Sequence, residues 1–271
     1  MKDSENSDYV FNIKTMQAPI FKQVIDALKD ILTDVNLEID HTGLKIVAMD
    51  NTNIVLIHLK LDADRFEEYY CENKNKKIYI GICMLKLHML IKTISTNDLL
   101  ALYVRKDDPG NLGIKIINNE RNVETNYKLA TLDIDVLNID IPPVDFRTII
   151  TMPSTYLQKI IRDMHNLAEY IEIRNIEDQL VLSCKGDFCS QETILGTEKS
   201  NNIMISKSNE VESSREIIQG VFSLKYLSIF TKCTNLCPNV EIYLKNSYPI
   251  ILKYSIASLG EIKLCLSQQE F

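Results

Sequence analysis

Residues able to do catalytic or ligating chemistry are scattered along this chain. The four histidines, His41, His58, His88 and His165, stand isolated, none at metal-ligand spacing from another. The seven cysteines are odd in number and lie in apolar segments, where they read as reduced packing residues. Their closest spacings, Cys184-x4-Cys189 and Cys233-x3-Cys237, lack the two-residue gap and tight turn of a zinc knuckle. Eight glycines leave little room for a phosphate-cradling loop. Carboxylates are plentiful but fall in solvated runs such as Asp62–Glu68. With no nucleophile–base pair or paired acids in view, no enzyme activity, metal or cofactor is expected.

Patterned positive charge is what remains. Four segments carry helical apolar spacing: Pro19–Leu32, Met84–Ile94, Ser154–Asn166 and Ser223–Lys232. Pro19 suits a first helical turn, and Ser154 and Ser223 are candidate N-caps. These segments hold Lys22, Lys29, Lys86, Lys92, Lys159, Arg162, Lys225 and Lys232 against Asp26, Asp30 and Asp163, or 8 − 3 = +5. The whole chain is −7, so the remainder is −7 − 5 = −12. An overall acidic protein argues against general nucleic-acid binding, yet its helices are basic. Lysines on one exposed helix ordinarily do no more than solvate it. Four such helices, each able to turn its basic residues away from the apolar stripe, suggest a basic wall facing a polyanion.

Short β-rich runs separate the helices, among them Val35–Ile39, Leu44–Val47, Ile54–Leu59, Ile78–Ile80, Gly113–Ile117, Tyr170–Ile173, Leu180–Leu182 and Ile250–Tyr254. The order is helix, strands, helix, strands, given twice. A shift of 136 places Met16, Phe21, Val24, Leu28 and Ile31 on Met152, Leu157, Ile160, Met164 and Leu167. A shift of 140 places Met84, Leu87 and Lys92 on Leu224, Leu227 and Lys232. One domain has been copied and fused to itself, which favours a pseudo-symmetric arc or ring over a single cleft. At 271 residues, two halves of this size can each bury a core unaided. The class is α+β with sheet dominant. No apolar run approaches a membrane span, and the polar start, residues 1–8, reads as a short disordered lead rather than a signal peptide.

The segment Ile20–Leu32 resembles the first helix of the proliferating cell nuclear antigen family of DNA sliding clamps, and Ala48-Met-Asp50 fits the same region. Met152-Pro-Ser154 leading to Ile161-Arg-Asp163 is similar to the opening of that family's second domain. Phe222–Lys232 resembles its last helix, and Pro249–Ile256 with Leu259-Gly260 its closing strands. The resemblance runs in order from about Tyr9 to Leu266.

It implies a duplicated DNA-clamp fold with helices lining the inside and antiparallel sheets outside, closed head to tail, usually from three copies. It also implies the domains: a lead at 1–8, an N-terminal domain at 9–131, a connecting linker at 132–145 and a C-terminal domain at 146–271. The implied function is a processivity factor that encircles double-stranded DNA without reading sequence. It would tether DNA polymerase and other replication and repair proteins, and be opened by a clamp loader. The phosphate-facing residues would be Lys22, Lys29, Lys86, Lys92, Lys159, Arg162, Lys225 and Lys232. Lys86 and His88 stand where the family usually has small polar residues, and Met89 where it often has a basic one.

A hydrophobic pocket for partner peptides, which present a Gln and paired aromatics, would be formed by Met49, Ile54, Leu56, Ile139, Ile141 and Pro249. Taken singly, each is as readily a core residue. At the C-terminal end, where the family shows an aromatic and then Ala-Pro, this chain reads Cys265-Leu-Ser-Gln268, so weaker peptide binding is expected. Subunits would join through edge strands at 122–130 and 202–207. The tract 206–219 reads as an exposed loop, and Lys74-Asn-Lys76-Lys77 as a solvated hairpin loop rather than a localisation run. A subunit of a heterotrimeric checkpoint-type clamp, or a monomeric viral processivity factor, would share much of this pattern. An Ile-, Asn- and Lys-rich composition points to an AT-rich genome, such as that of a large DNA virus or a protist, and to action in a nucleus or viral replication site.

Overall fold

A computed structural model describes residues 7–73, 76–136, 144, 146, 148–196, 203–207 and 217–269. Ile139 and Ile141, most of the expected linker 132–145, and residues 208–216 of the tract expected to be an exposed loop lie outside the described residues. The chain divides into two compact units. Unit 1 takes residues 1–51, 58–139 and 256–262; unit 2 takes 52–57, 140–255 and 263–271.

In chain order, unit 1 contains β1 (Tyr9–Thr15), α1 (Ala18–Leu28), β2 (Asp34–Asp40), β3 (Gly43–Met49), the end of β4 (Val55–Asp62), β5 (Glu68–Cys71), β6 (Ile78–Cys83), α2 (Met84–Ile91), β7 (Asp98–Arg105), β8 (Asp108–Asn118) and β9 (Val123–Ala130). Five strands form an antiparallel sheet in the order β5-β1-β7-β8-β9, and a second set runs β4-β3-β2-β6. Period-2 alternation decides which way each strand faces. In β2, Val35, Leu37 and Ile39 are buried, and in β4 Leu59 and Leu61 are, while the residues between them stay partly exposed. Helix α1 sets Phe21, Val24, Ile25 and Leu28 into the core, one stripe at helical spacing. Gly43 turns the β2–β3 hairpin at φ +148°, where a Cβ would stand 1.9 Å from the Leu61 carbonyl oxygen, so only glycine fits.

Unit 2 repeats the plan. It contains β10 (Thr148–Pro153), α3 (Ser154–His165), β11 (Tyr170–Ile176), β12 (Gln179–Lys185), β13 (Ser190–Gly196), β14 (Met204–Lys207), β15 (Ile218–Ser223), α4 (Leu224–Phe230), β16 (Asn239–Leu244), β17 (Ile250–Ile256) and the end of β18 (Gly260–Leu266). One set of strands runs β14-β10-β16-β17-β18, and a four-stranded sheet runs β13-β12-β11-β15. Helix α3 buries Leu157, Ile160, Ile161 and Met164, the counterparts of the α1 stripe at the 136-residue shift. This duplicated α+β architecture is the one expected.

Helix ends differ from expectation in an instructive way. α1 stops at Leu28, four residues before Leu32, and α2 at Ile91. α4 stops at Phe230 and tightens into a 3-10 turn at Thr231–Leu236. Ser154 is not an N-cap but the first helical residue, and Ser223, which is at the cap position, makes no side-chain cap bond. Backbone carbonyls from elsewhere in each unit accept from the first helical amides instead: Thr33 from Met84 at 2.8 Å, Pro238 from Ser154 at 2.8 Å and Glu169 from Leu224 at 2.9 Å. Tertiary contacts supply what local side chains would otherwise provide.

Candidate nucleic-acid interface

The eight expected phosphate-facing residues fall on the helices or just beyond their ends, but in unequal states. In unit 1, Lys22 is half-buried and its Nζ donates to the Ile94 carbonyl at 2.8 Å, capping the turn that follows α2. Lys29 is ringed by carboxylates, with Asp26 at 3.3 Å and Asp30 at 3.1 Å. Its side chain is only 20% exposed. Burial pulls its pKa down, but the hydrogen bond to Asp30 and the charges of Asp26 and Asp30 outweigh this and hold it above the ordinary value. His88 on α2 brings Nε2 to 3.0 Å from Asp26 Oδ1, so one carboxylate joins the two helices. Only Lys86 and Lys92 of the four expected in unit 1 are exposed and without an ion pair among the described residues. Beside them Leu85 and Met89, one turn apart, are 50% and 52% exposed.

In unit 2 the balance is different. Lys159 and Arg162 are exposed on α3, and neither makes an ion pair among the described residues. Lys225 is exposed on α4, its Nζ 5.7 Å from the Tyr226 ring centroid, a contact that leaves the charge available. Lys232 is exposed in the 3-10 turn after α4. Gln158 Nε2 donates to the Thr231 carbonyl at 3.0 Å and so ties α3 to that turn. A groove of about 850 Å³ opens at the end of α3, with His165, Lys185 and Lys225 on its walls together with Glu169 and Asp187. Lys185 ends β12, and no helical spacing in the sequence marked it for this position.

Two further basic residues, Lys245 and Lys253, lie off the helices. Lys253 on β17 pairs with Glu241 at 3.4 Å, and Lys245, just past β16, sits 5.1 Å from the Tyr248 ring centroid.

The peptide-pocket positions fall in different places. Met49 is half-buried at the end of β3 in unit 1. Ile54, Leu56 and Pro249 belong to unit 2, with Ile54 exposed and the others half-buried. The unusual C-terminal stretch lies beside them. Ser267 N donates to the Ile54 carbonyl at 3.0 Å, Gln268 Nε2 to the Tyr248 carbonyl at 2.9 Å, and Gln269 N to the Val221 carbonyl at 2.9 Å. In unit 1 the segment after β9 docks on β6 and β2: Leu132 N donates to the Gly81 carbonyl at 2.8 Å, and Asn36 Nδ2 to the Ile134 carbonyl at 3.1 Å. A Cβ on residue 81 would stand 2.2 Å from the Leu132 carbonyl oxygen, so glycine makes room for this strap.

Two edges are open. β9 closes one side of the five-stranded sheet, with Val123 50% exposed. β13 closes one side of the four-stranded sheet, with Ile194 55% exposed. The expected strand at 202–207 is present as β14, but it belongs to the other set of strands, paired with β10. β13 is the edge that reading the sequence did not single out.

Known proteins match this arrangement along its length. Residues 10–138 match the family model for the proliferating cell nuclear antigen N-terminal domain, and residues 140–269 that for its C-terminal domain. The chain is 35% identical over 267 residues to the probable DNA polymerase sliding clamp 1 of Paramecium bursaria Chlorella virus 1, covering 97% of this chain and 98% of that protein. It is 31% identical over 251 residues to proliferating cell nuclear antigen of Chaetomium thermophilum, covering 93% and 95%. The crystal structure of the Entamoeba histolytica antigen superposes with a TM-score of 0.85 at 25% identity, covering 97% of this chain and all of that one. Duplicated units, basic helices and these full-length matches together place the chain in the proliferating cell nuclear antigen family.

Proposed function

We propose that this chain is a DNA sliding clamp: copies of it close head to tail into a ring, three to a ring, around double-stranded DNA and tether a polymerase to its template. The division into domains at 9–131 and 146–271, joined by 132–145, belongs to this reading. The single observation that supports the DNA contact most directly is the exposed row Lys159, Arg162 and Lys225 on two neighbouring helices of an acidic protein. Charges of this kind hold phosphates without reading bases, as a sliding ring requires. Two unlike open edges, β9 and β13, suit heterologous strand addition from copy to copy, which closes a ring when the rotation permits. The apolar positions Met49, Ile54, Leu56 and Pro249, with Ile139 and Ile141 of the linker, would receive partner peptides. A clamp loader would open the ring. The protein acts by tethering, not by catalysis, at a nuclear or viral replication site.

Charge reversal at Lys159, Arg162 and Lys225 together tests the reading. It is expected to abolish stimulation of a cognate polymerase on primed circular DNA while leaving oligomeric mass and melting temperature unchanged, because exposed side chains contribute little to stability. Reversal of Lys245 and Lys253 is the control. Equal loss from the control pair would mean that DNA does not pass the helical face.

A further inference from the structure

Asp26 occupies an unusual place among the basic residues of unit 1. It reaches Lys29 Nζ at 3.3 Å and His88 Nε2 at 3.0 Å, and Asp30 holds the same Lys29 at 3.1 Å. The three groups Lys29, Asp26 and Asp30 sum to +1 − 2 = −1 before any DNA arrives. A phosphate approaching Lys29 must displace carboxylates already in contact, and the remaining carboxylates repel it. On the adjoining α2, Lys86 and Lys92 are exposed, but the apolar Leu85 and Met89, 50% and 52% exposed, share that surface. In unit 2 the only helical carboxylate is Asp163, and Lys159, Arg162 and Lys225 make no ion pair among the described residues.

We infer that DNA is gripped by the two halves of this chain unequally: Asp26 is a positioning residue that, with Asp30, keeps Lys29 off the phosphates and by itself holds His88, so that unit 2 carries most of the contact and unit 1 offers a low-friction face. The inference rests on the reading of the helices as DNA-facing. A ring built this way alternates strong and weak sectors, and a duplex inside it is drawn toward the strong ones. Isolated phosphate contacts separated by weak sectors are broken one at a time, which favours movement along the duplex.

The test is equilibrium binding of the full-length protein to a short duplex, followed by fluorescence anisotropy over a range of salt. Three charge-removing variants are compared: Asp26→Asn, Lys29→Gln and Arg162→Gln. Arg162→Gln is expected to weaken binding at low salt severalfold, and Lys29→Gln less than about twofold. Asp26→Asn is expected to tighten binding by about threefold to tenfold and to steepen the salt dependence by up to about 0.9 in log–log slope per phosphate newly engaged. Adding Lys29→Gln to Asp26→Asn should return both affinity and slope to near the parent values, a reversal that a purely structural role for Asp26 would not produce. The inference is overturned if Asp26→Asn leaves affinity and slope unchanged, or if Lys29→Gln alone weakens binding as much as Arg162→Gln. If Arg162→Gln has no effect either, the helical face does not meet DNA, and the proposed function fails with it.

Discussion

Replacing Ile194 on β13 by Lys is expected to dismantle the ring without unfolding the protomer. Ile194 is already 55% exposed in the single chain, so the substitution removes little of the protomer's own core. In a ring, a β9 strand from the next copy would cover it. Full burial of such a side chain is worth about 1.5–3 kcal/mol, and with half the surface left to bury its loss removes about 1 kcal/mol per interface. Part-desolvation of the ammonium that replaces it adds about 1 kcal/mol more. Three equivalent interfaces then lose about 6 kcal/mol together, or roughly four decades in the trimer association constant. Because the concentration of half-dissociation varies as the square root of that constant, the midpoint should rise about a hundredfold. Sedimentation equilibrium over a dilution series measures it, and circular dichroism melting checks the fold. Val123→Lys on β9 should act in the same way, since Val123 is 50% exposed on the opposing edge. Met204→Lys on β14, at 63% exposure, is the discriminating control. A midpoint that moves with Met204→Lys but stays within about threefold for Ile194→Lys would refute the assignment of β13 and return the joining edge to residues 202–207.

Leu56→Asp should remove binding of a peptide carrying a Gln and paired aromatics, because a carboxylate on a half-buried apolar position cannot be desolvated cheaply; calorimetry with unchanged affinity would place the pocket elsewhere. Asp40 is a second target. Burial would raise its pKa, but hydrogen bonds from Thr42 and from Lys45, whose Nζ lies 2.9 Å away, hold it well below the carboxylate range. A depressed folded-state pKa gives stability that is present above the unfolded value and lost as pH falls toward the folded one. Asp40→Asn should therefore cost about 2 kcal/mol near neutral pH, with the difference shrinking below about pH 4. A constant difference down to pH 2 in urea titrations would contradict this account.

Much of the fold is legible in the sequence. The stripes Phe21-Val24-Leu28 and Leu157-Ile160-Met164 announce α1 and α3, and their 136-residue offset announces the duplication. β2, β4 and β11 follow from short runs rich in β-formers, which in β2 alternate. Helix capping was not legible, because the carbonyls of Thr33, Pro238 and Glu169 that receive the first amides come from other segments of each unit. Helix ends missed by a few residues for a related reason: tertiary contacts, not propensity, decide where the last turn tightens.

Composition and spacing by themselves determined the class, the repeat and the four basic helices in an acidic chain, while the family came from the resemblance of particular segments. These are properties summed along the chain or repeated at a fixed period, and they survive without knowledge of neighbours. Which charges are available was decided only in three dimensions. Lys22 and Lys159 are both lysines on helices in a list of residues, yet one is spent on the Ile94 carbonyl and the other stands in solvent. Lys29 and Arg162 differ likewise, because Asp26 and Asp30 happen to fold against the first. That β13 and β14 both end a sheet was of the same kind, since strand order in a sheet is a long-range pairing that local sequence does not encode.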